Sequence, residues 1–408
     1  MRIAPVAHSY PRFPGDSNGT FVERICQELA KLGHAVDVLV PDDVELARDG
    51  RAPLTVSSFR YLAPRSAQRL GYSRTLERDT GIKATAALTA PLYFLCGSRA
   101  LARHVRRRRS EVVHAHWILP NGFLAAVAKR RTGVPYVAML HGSDVFMAER
   151  NALMRWMARV ALAGATYVTS CSPDLRDRLL AVGGGEHAGK IHLVPYGADL
   201  SAPPTAAEVA AARSRLGLAA GDRPVVAVGR LVDKKGFDVL VAALPALLAR
   251  EPAAKLVIGG GGPLAEPLAA QARALGVAER VVFAGALAHP QVLALMALGE
   301  VFVMPSVRDA EGNIDGLPVV IPEAMAAARP VVASNLAGIP LAITDGETGL
   351  LVAERDPAAL AGALARVLAD PALAARLGRA AGERVARELT WQAIARVHDR
   401  LQSAAFRR

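Results

Sequence analysis

Short β-rich runs alternate with Ala/Leu-rich stretches of helical length along most of the chain, and no other feature constrains the fold as much. In the C-terminal half the runs are Pro224–Val228, Lys255–Gly259, Arg280–Phe283, Glu300–Met304, Pro330–Ala333 and Gly349–Val352. Phe237–Arg250 and Leu264–Leu275 are among the stretches between them. Parallel strands need crossovers of this kind, and strands covered on both faces read as continuous apolar runs. The N-terminal half repeats the pattern at Ala35–Val40, Glu111–Val113, Val134–Leu140, Thr166–Ser170 and Ile191–Val194. Its first helix is expected at Phe21–Leu32, closed by Gly33, and its first strand at Arg2–Ala7, with Pro5 arguing against a central position. A chain of 408 residues exceeds one ordinary core. The expected architecture is therefore α/β, with two Rossmann-like doubly wound parallel-sheet domains. Pro203-Pro204 and Gly221 punctuate the connection, which places the domains at 1–200 and 201–385. Such sheets bind ligands beyond the carboxyl ends of their strands, so two facing sheets imply a site in a cleft.

Composition narrows the class. Hydrophobic residues make up 52% and charged residues 21%, which excludes a mostly disordered chain. Cys26, Cys96 and Cys171 lie far apart, supporting neither a disulfide framework nor a zinc cluster. The N-terminus lacks a signal-peptide apolar core. The stretches 84–98 and 281–299 fall short of a membrane span, so a soluble, cytoplasmic protein is expected. The net charge of +12 is concentrated: residues 51–110 hold 13 basic residues against Glu77 and Asp79 alone. That segment is either a solvated face or a surface for anionic lipid or a phosphorylated acceptor, since each basic side chain near such a surface adds roughly 1 kcal/mol. No recognition motif accompanies the charge, so nucleic acid is not an expected partner.

Four loops at strand carboxyl ends carry the candidate chemistry. Gly229-Arg230-Leu231-Val232-Asp233-Lys234-Lys235-Gly236 offers Arg230 and Lys235 to a diphosphate, or is a solvated turn. In Asp315-Gly316-Leu317-Pro318…Glu323-Ala324-Met325-Ala326, two carboxylates bracket a Gly and a Pro. They suit sugar hydroxyls; alternatively Asp315 caps a helix and Glu323 faces solvent. His141-Gly142-Ser143-Asp144 and His114-Ala115-His116-Trp117 follow first-domain strands and are expected to face the cleft; their spacing matches no common metal site. Gly15-Asp16-Ser17-Asn18-Gly19-Thr20 allows close approach of an anion or sugar, but is neither GxGxxG nor a Walker loop. The tract Gly259-Gly260-Gly261-Gly262-Pro263 reads as a turn.

Together these pieces resemble the retaining glycosyltransferases of family 4, of GT-B architecture, over essentially the whole chain. Pro330–Ser334 and Asp345–Val352 support the resemblance. His114–Trp117 with Pro120-Asn121-Gly122, His141–Asp144 and Pro195–Asp199 are similar to a subgroup that builds cell-surface polysaccharides. The resemblance implies that Arg230 and Lys235 hold the diphosphate of a sugar nucleotide and that Glu323 binds the ribose. Asp315 and the backbone of Gly316, Leu317 and Pro318 would lie near the transferred sugar. His141 would face that sugar, and Gly19 would lie under the phosphates. His116, Trp117, Asn121 and Asp144 would line the acceptor side. It further implies retention without a metal or other cofactor, a glycan, lipid-linked or small-molecule acceptor, domain closure on the donor, and a terminal helix, here 386–408, crossing back onto the first domain. With the basic segment at an anionic surface, the protein would sit peripherally at the inner face of the plasma membrane.

Three departures bear on the sugar. Asp315 replaces the more usual Glu, Leu341 stands where Glu is common, and Ala328 stands where a helix-ending Gly is usual. The insert Asp309–Ile314 adds acids nearby. A GT-B-like phosphorylase or sugar-nucleotide epimerase would use a similar diphosphate site. Asp309-x-Glu311 as a metal motif is a further enzymatic alternative, and a basic membrane- or nucleic-acid-binding protein is the non-enzymatic one.

Overall fold

The computed structural model describes residues 1–16, 18–47, 54–72, 84–200 and 202–408. Ser17, and the parts of the basic segment at 51–53 and 73–83, lie outside the described residues. The chain divides into two compact units, Met1–Val194 with Trp391–Arg408, and Pro195–Thr390.

The first unit is built on β1 (Arg2–Val6), β2 (Ala35–Pro41), β3 (Thr55–Phe59), β4 (Val112–His116), β5 (Tyr136–Leu140), β6 (Tyr167–Ser170) and β7 (Ile191–Leu193). Their order across the sheet is β3-β2-β1-β4-β5-β6-β7, and every pairing is parallel. The second unit has β8 (Arg223–Val228), β9 (Ala254–Gly259), β10 (Val281–Gly285), β11 (Val301–Met304), β12 (Val331–Ser334) and β13 (Leu350–Val352), in the all-parallel order β10-β9-β8-β11-β12-β13. Both are doubly wound. Strand order reverses beside β1 and β4 in the first sheet and beside β8 and β11 in the second, and ligand crevices form at such reversals.

Local sequence accounts for most of these elements. The Val-rich strands β8, β11 and β12 are buried along nearly their whole length, as expected of strands with helices on both faces. The helix Phe237–Leu248 turns Phe237, Leu240, Val241, Leu244 and Leu247 into the second core. Each such buried side chain contributes about 1.5–3 kcal/mol by leaving water. In the first unit α1 (Thr20–Lys31) ends as expected, Gly33 taking a φ of 89° while its N–H reaches the Ala30 carbonyl. The other first-unit helices used below are α2 (Ala84–Arg108), α3 (Phe123–Thr132), α4 (Ser143–Arg150) and α5 (Ala152–Gly164).

The structure corrects four expectations. Pro5 lies in a central strand: β1 pairs with β4 continuously from Ile3 to Val6, but with β2 only at Arg2, Ile3 and Val6, so the missing N–H costs pairing on one side only. β3 has no counterpart among the expected strands, because its sequence TVSSF is largely polar and only Phe59 is buried. The division falls at Val194/Pro195 rather than near 200, because the Ala198 N–H bonds to the Leu389 carbonyl and ties this segment into the second unit. For the same reason the terminal segment of the first unit starts at Trp391, not 386; its helix Trp391–Phe406 packs on α1, β4 and β5.

Candidate active site

In the second unit the reversal point is cationic. β8 ends at Val228, and the loop after it runs through Arg230 to a single turn at Asp233–Lys235. Gly236 then starts the next helix with a φ of 66°, and a Cβ there would meet the Pro305 carbonyl oxygen at 1.9 Å, so only glycine lets the loops after β8 and β11 close on each other. The Val307 N–H donates to the Lys234 carbonyl at 3.0 Å and fixes that contact. The Gly259–Gly262 tract performs the same service from β9: a Cβ on Gly260 would meet the Gly229 oxygen at 1.9 Å, and the Leu231 N–H donates to Gly261 at 2.9 Å.

This packing delivers two lysines to one carboxylate. Lys235 Nζ lies 2.5 Å from Asp315 Oδ2, and Lys234 Nζ lies 3.5 Å from Oδ1. Burial pushes the Asp315 carboxyl up, but Lys235, Lys234 and Arg230 together outweigh it and hold the group well below the usual carboxylate range. Lys235 is buried while Arg230 is exposed at the rim. Gly316, Leu317 and Pro318 follow as a buried turn held by a 2.7 Å bond from the Gly338 N–H to the Gly316 carbonyl. Glu323 is half-buried on the helix Val320–Ala326. Beside them, Asp309 accepts hydrogen bonds from the N–H groups of Glu311 and Asn313 and from the Asn313 amide, so its carboxylate closes its own loop.

The reversal point of the first unit gathers aromatic and imidazole rings. Gly19 precedes α1 with a φ of 62°, and a Cβ there would meet the Ser9 oxygen at 2.4 Å. Phe21 then stands 4.8 Å, centroid to centroid, from His141 and 5.6 Å from Trp117. Trp117 packs 4.3 Å from both His8 and His141, and behind it His116 stacks on His141 at 5.7 Å. The column continues through His114, 4.3 Å from His116, to His398 of the terminal helix at 5.0 Å. Burial, reinforced by the neighbouring imidazoles, holds His114, His116 and His141 well below the usual histidine range, so these rings are neutral at pH 7. Burial alone lowers His8 and His398 to about 4.

Several residues expected on the acceptor side are buried. β4 runs on through His114 and His116, which are wholly buried inside the sheet rather than facing a cleft. Asp144 is also wholly buried; its oxygens accept the Ile118 N–H at 2.8 Å and the Gly142 N–H at 2.9 Å. Burial pushes its carboxyl up to about 6 despite those bonds. Asn121 is buried too, donating to the His116 carbonyl at 2.6 Å and lying 3.1 Å from His8 Nδ1. Asp144 and Asn121 thus bond within the β4–α3 and β5–α4 loops beside His141, and Trp117, only 8% exposed, packs against the His141 ring. Sequence reasoning passed over Lys234 as a site residue, and over His8, Phe21 and His398. His8 stands two residues past the end of β1, which was a usable signal; His398 was marked only by falling on the buried face of an amphipathic helix.

Two all-parallel doubly wound sheets, the second with a cationic loop at its reversal point, are the architecture found in GT-B glycosyltransferases. Residues 209–384 match the family "Glycosyl transferases group 1" and residues 19–197 match "Glycosyl transferase 4-like domain"; the chain belongs to this glycosyltransferase family, of the family 4 type. It is 40% identical over 266 residues to the GDP-mannose-dependent alpha-(1-6)-phosphatidylinositol monomannoside mannosyltransferase of Mycolicibacterium smegmatis, a match covering 64% of this chain and 67% of that one. It is 31% identical to the D-inositol 3-phosphate glycosyltransferase of Acidothermus cellulolyticus over 93% of this chain and 85% of that one. Among solved structures, sucrose-phosphate synthase from Thermosynechococcus elongatus superposes with a TM-score of 0.79 at 25% identity, covering 100% of this chain and 99% of that one.

Proposed function

We propose that this glycosyltransferase moves a sugar from a nucleoside-diphosphate sugar to a glycan, lipid-linked or small-molecule acceptor, with retention of anomeric configuration and without a metal. The observation that carries the reading is the convergence of Lys234, Lys235 and Arg230 on Asp315 at the reversal point of the second sheet. Departure of a nucleoside diphosphate builds negative charge, and cations already in place stabilise that charge without reorganising when it appears. Arg230 and Lys235 take the diphosphate and Glu323 the ribose hydroxyls. As Lys235 turns to the phosphates, Asp315 is freed toward the sugar, beside the Gly316–Pro318 backbone. The anomeric carbon–oxygen bond to the diphosphate breaks. The acceptor oxygen bonds to the same face of that carbon, and its proton passes to the departing phosphate oxygen.

Within the first unit His141 is a neutral ring held by Phe21, Trp117 and His116. The two relatives described above are named for acceptors that carry an inositol phosphate, which supports an acceptor with an anionic head.

A panel of nucleotide-sugars screened for thermal stabilisation identifies the donor. Turnover of that donor is then followed with EDTA present, and the product anomer is read by NMR. Retained configuration with undiminished turnover is expected; an inverted product overturns retention, and loss of all turnover on chelation overturns metal independence.

A further inference from the structure

Asp315 carries a different lysine on each of its oxygens. Lys235 Nζ lies 2.5 Å from Oδ2 and Lys234 Nζ 3.5 Å from Oδ1, and all three side chains are largely enclosed. Side chains next to each other in an extended segment point to opposite sides, so adjacent lysines reach one group only where the chain turns sharply. The single turn Asp233–Lys235 does this, closed by a 3.0 Å bond from the Lys235 N–H to the Val232 carbonyl and a 2.9 Å bond from the Gly236 N–H to the Asp233 carbonyl. The Lys234 carbonyl in turn accepts the Val307 N–H, which ties its main chain to the segment leading to Asp315.

One lysine would suffice to pair with Asp315 at rest; the second matters once a diphosphate arrives. In the reaction proposed above, Lys235 and Arg230 turn to that anion. Burial favours the protonated form of the Asp315 carboxyl, and an incoming negative charge favours it further. A protonated Asp315 would bring no charge to a sugar that turns cationic as its bond to the diphosphate breaks. Among the cations that oppose protonation Lys235 acts most strongly, then Lys234, with Arg230 behind them. Of the further charged groups on the adjoining segments, Asp233, Asp309, Glu311, Glu323 and Glu354 are carboxyls, and Arg308 is not among the cations acting most strongly on Asp315.

We infer that Lys234 is a positioning residue for this transfer: when Lys235 leaves Oδ2 for the diphosphate, Lys234 keeps Oδ1, so that Asp315 meets the transferred sugar as an oriented carboxylate. The inference rests on the proposed reaction and adds to it a division between adjacent lysines, Lys235 serving the leaving group and Lys234 the carboxylate. A compact ammonium suits the second task, since a point charge beside one oxygen keeps the carboxyl ionised and leaves the other oxygen to the sugar. Because Lys234 acts through Asp315, its loss falls on the chemical step and not on the grip on the diphosphate.

Lys234→Gln, which removes the charge, is compared in the full chain with Lys234→Arg, which keeps it; unchanged thermal unfolding confirms that each variant is folded. With the donor identified as above, Lys234→Gln should lower kcat on the order of 10-fold, less than loss of a cation on the leaving group, with donor KM little changed. It should also move the acid limb of kcat upward by about one pH unit, since a carboxyl deprived of a nearby cation takes up its proton at higher pH. Lys234→Arg should restore most of kcat and return the acid limb, which a merely structural role would not do. A second measurement needs no turnover. Binding of UDP, GDP or ADP is followed by calorimetry at about pH 6 in buffers of different ionisation enthalpy, which counts the protons taken up. Lys234→Gln should take up a larger fraction of a proton than the wild type, and adding Asp315→Asn should abolish the excess. Wild-type kcat and pH profile in Lys234→Gln, proton uptake equal to that of the wild type, or weakened nucleoside-diphosphate binding, which would put Lys234 on the phosphates, overturns the inference and leaves the reaction standing. Failure of the wild type to bind any nucleoside diphosphate brings down the proposed reaction, and this inference with it.

Discussion

The two reversal points occupy the same place in two similar sheets and are furnished in opposite ways. The second unit gathers Lys234, Lys235 and Arg230 around Asp315, and the first gathers His8, His116, Trp117, Phe21 and His141 with no ionised group among them. A doubly wound sheet fixes where a site forms and leaves its chemistry to the loops. One sheet here is fitted to stabilise an anion, the other to hold a neutral ring rigidly.

Acid separates them most sharply. Histidines whose folded pKa is depressed favour the native state while neutral, so their contribution is lost as pH falls below about 6.5 toward 4. Asp144, raised to about 6, acts in the opposite sense and gains as pH falls through that value, but one carboxyl opposes five imidazoles. His8 and His398, both near 4, leave a net loss on the order of 3 kcal/mol by pH 4 after Asp144 is offset. In the second unit the stability from Asp315 persists until pH falls below the ordinary carboxylate range. The first unit is therefore expected to unfold first on acidification. All three tryptophans lie in it, so their emission should change at higher pH than hydrogen exchange rises in the second unit. Simultaneous loss would show that the neutral column does not set acid stability.

Lys235→Ala comes next and should cut turnover on the order of 10²-fold, the scale of removing one charge-stabilising donor. Steady-state rates near wild type would remove the cationic cluster from the reaction. Glu323→Ala should weaken nucleotide binding by about 10-fold in calorimetry, in line with the loss of charge-assisted hydrogen bonds; unchanged affinity would detach Glu323 from the ribose. The smallest effect belongs to Ala328, whose φ of 52° is left-handed at the end of the Glu323 helix. Ala328→Gly should raise stability by about 0.5–1 kcal/mol, seen as a higher Tm. A lower Tm would mean that its methyl contacts outweigh backbone strain.

The sequence disclosed the sheets where burial on both faces forces unbroken Val and Ile runs, as in β8, β9 and β11. It concealed β3, whose polar TVSSF rests on its partner through backbone pairing from Asp37↔Thr55 to Pro41↔Phe59. It also stopped β4 short, because histidine reads as a loop residue until burial strips its charge. The cationic loop was legible from its place after a strand. Its pairing with Asp315 was not, because the partners are brought together only by glycine-dependent closure of two loops. Asp144 and Asn121 were recognised as important but assigned outward-facing roles, since spacing does not reveal which way a polar side chain turns.

The discontinuity of the first unit orders events during synthesis. Its last helix, Trp391–Phe406, leaves the ribosome only after every strand of the second unit, so the earlier-begun lobe is the later one to be finished. Until then the α1, β4 and β5 surface that receives this helix stays uncovered, and His114 lacks its His398 neighbour. A released chain truncated before Trp391 would thus hold all of the second unit and a first unit still open to proteases and chaperones.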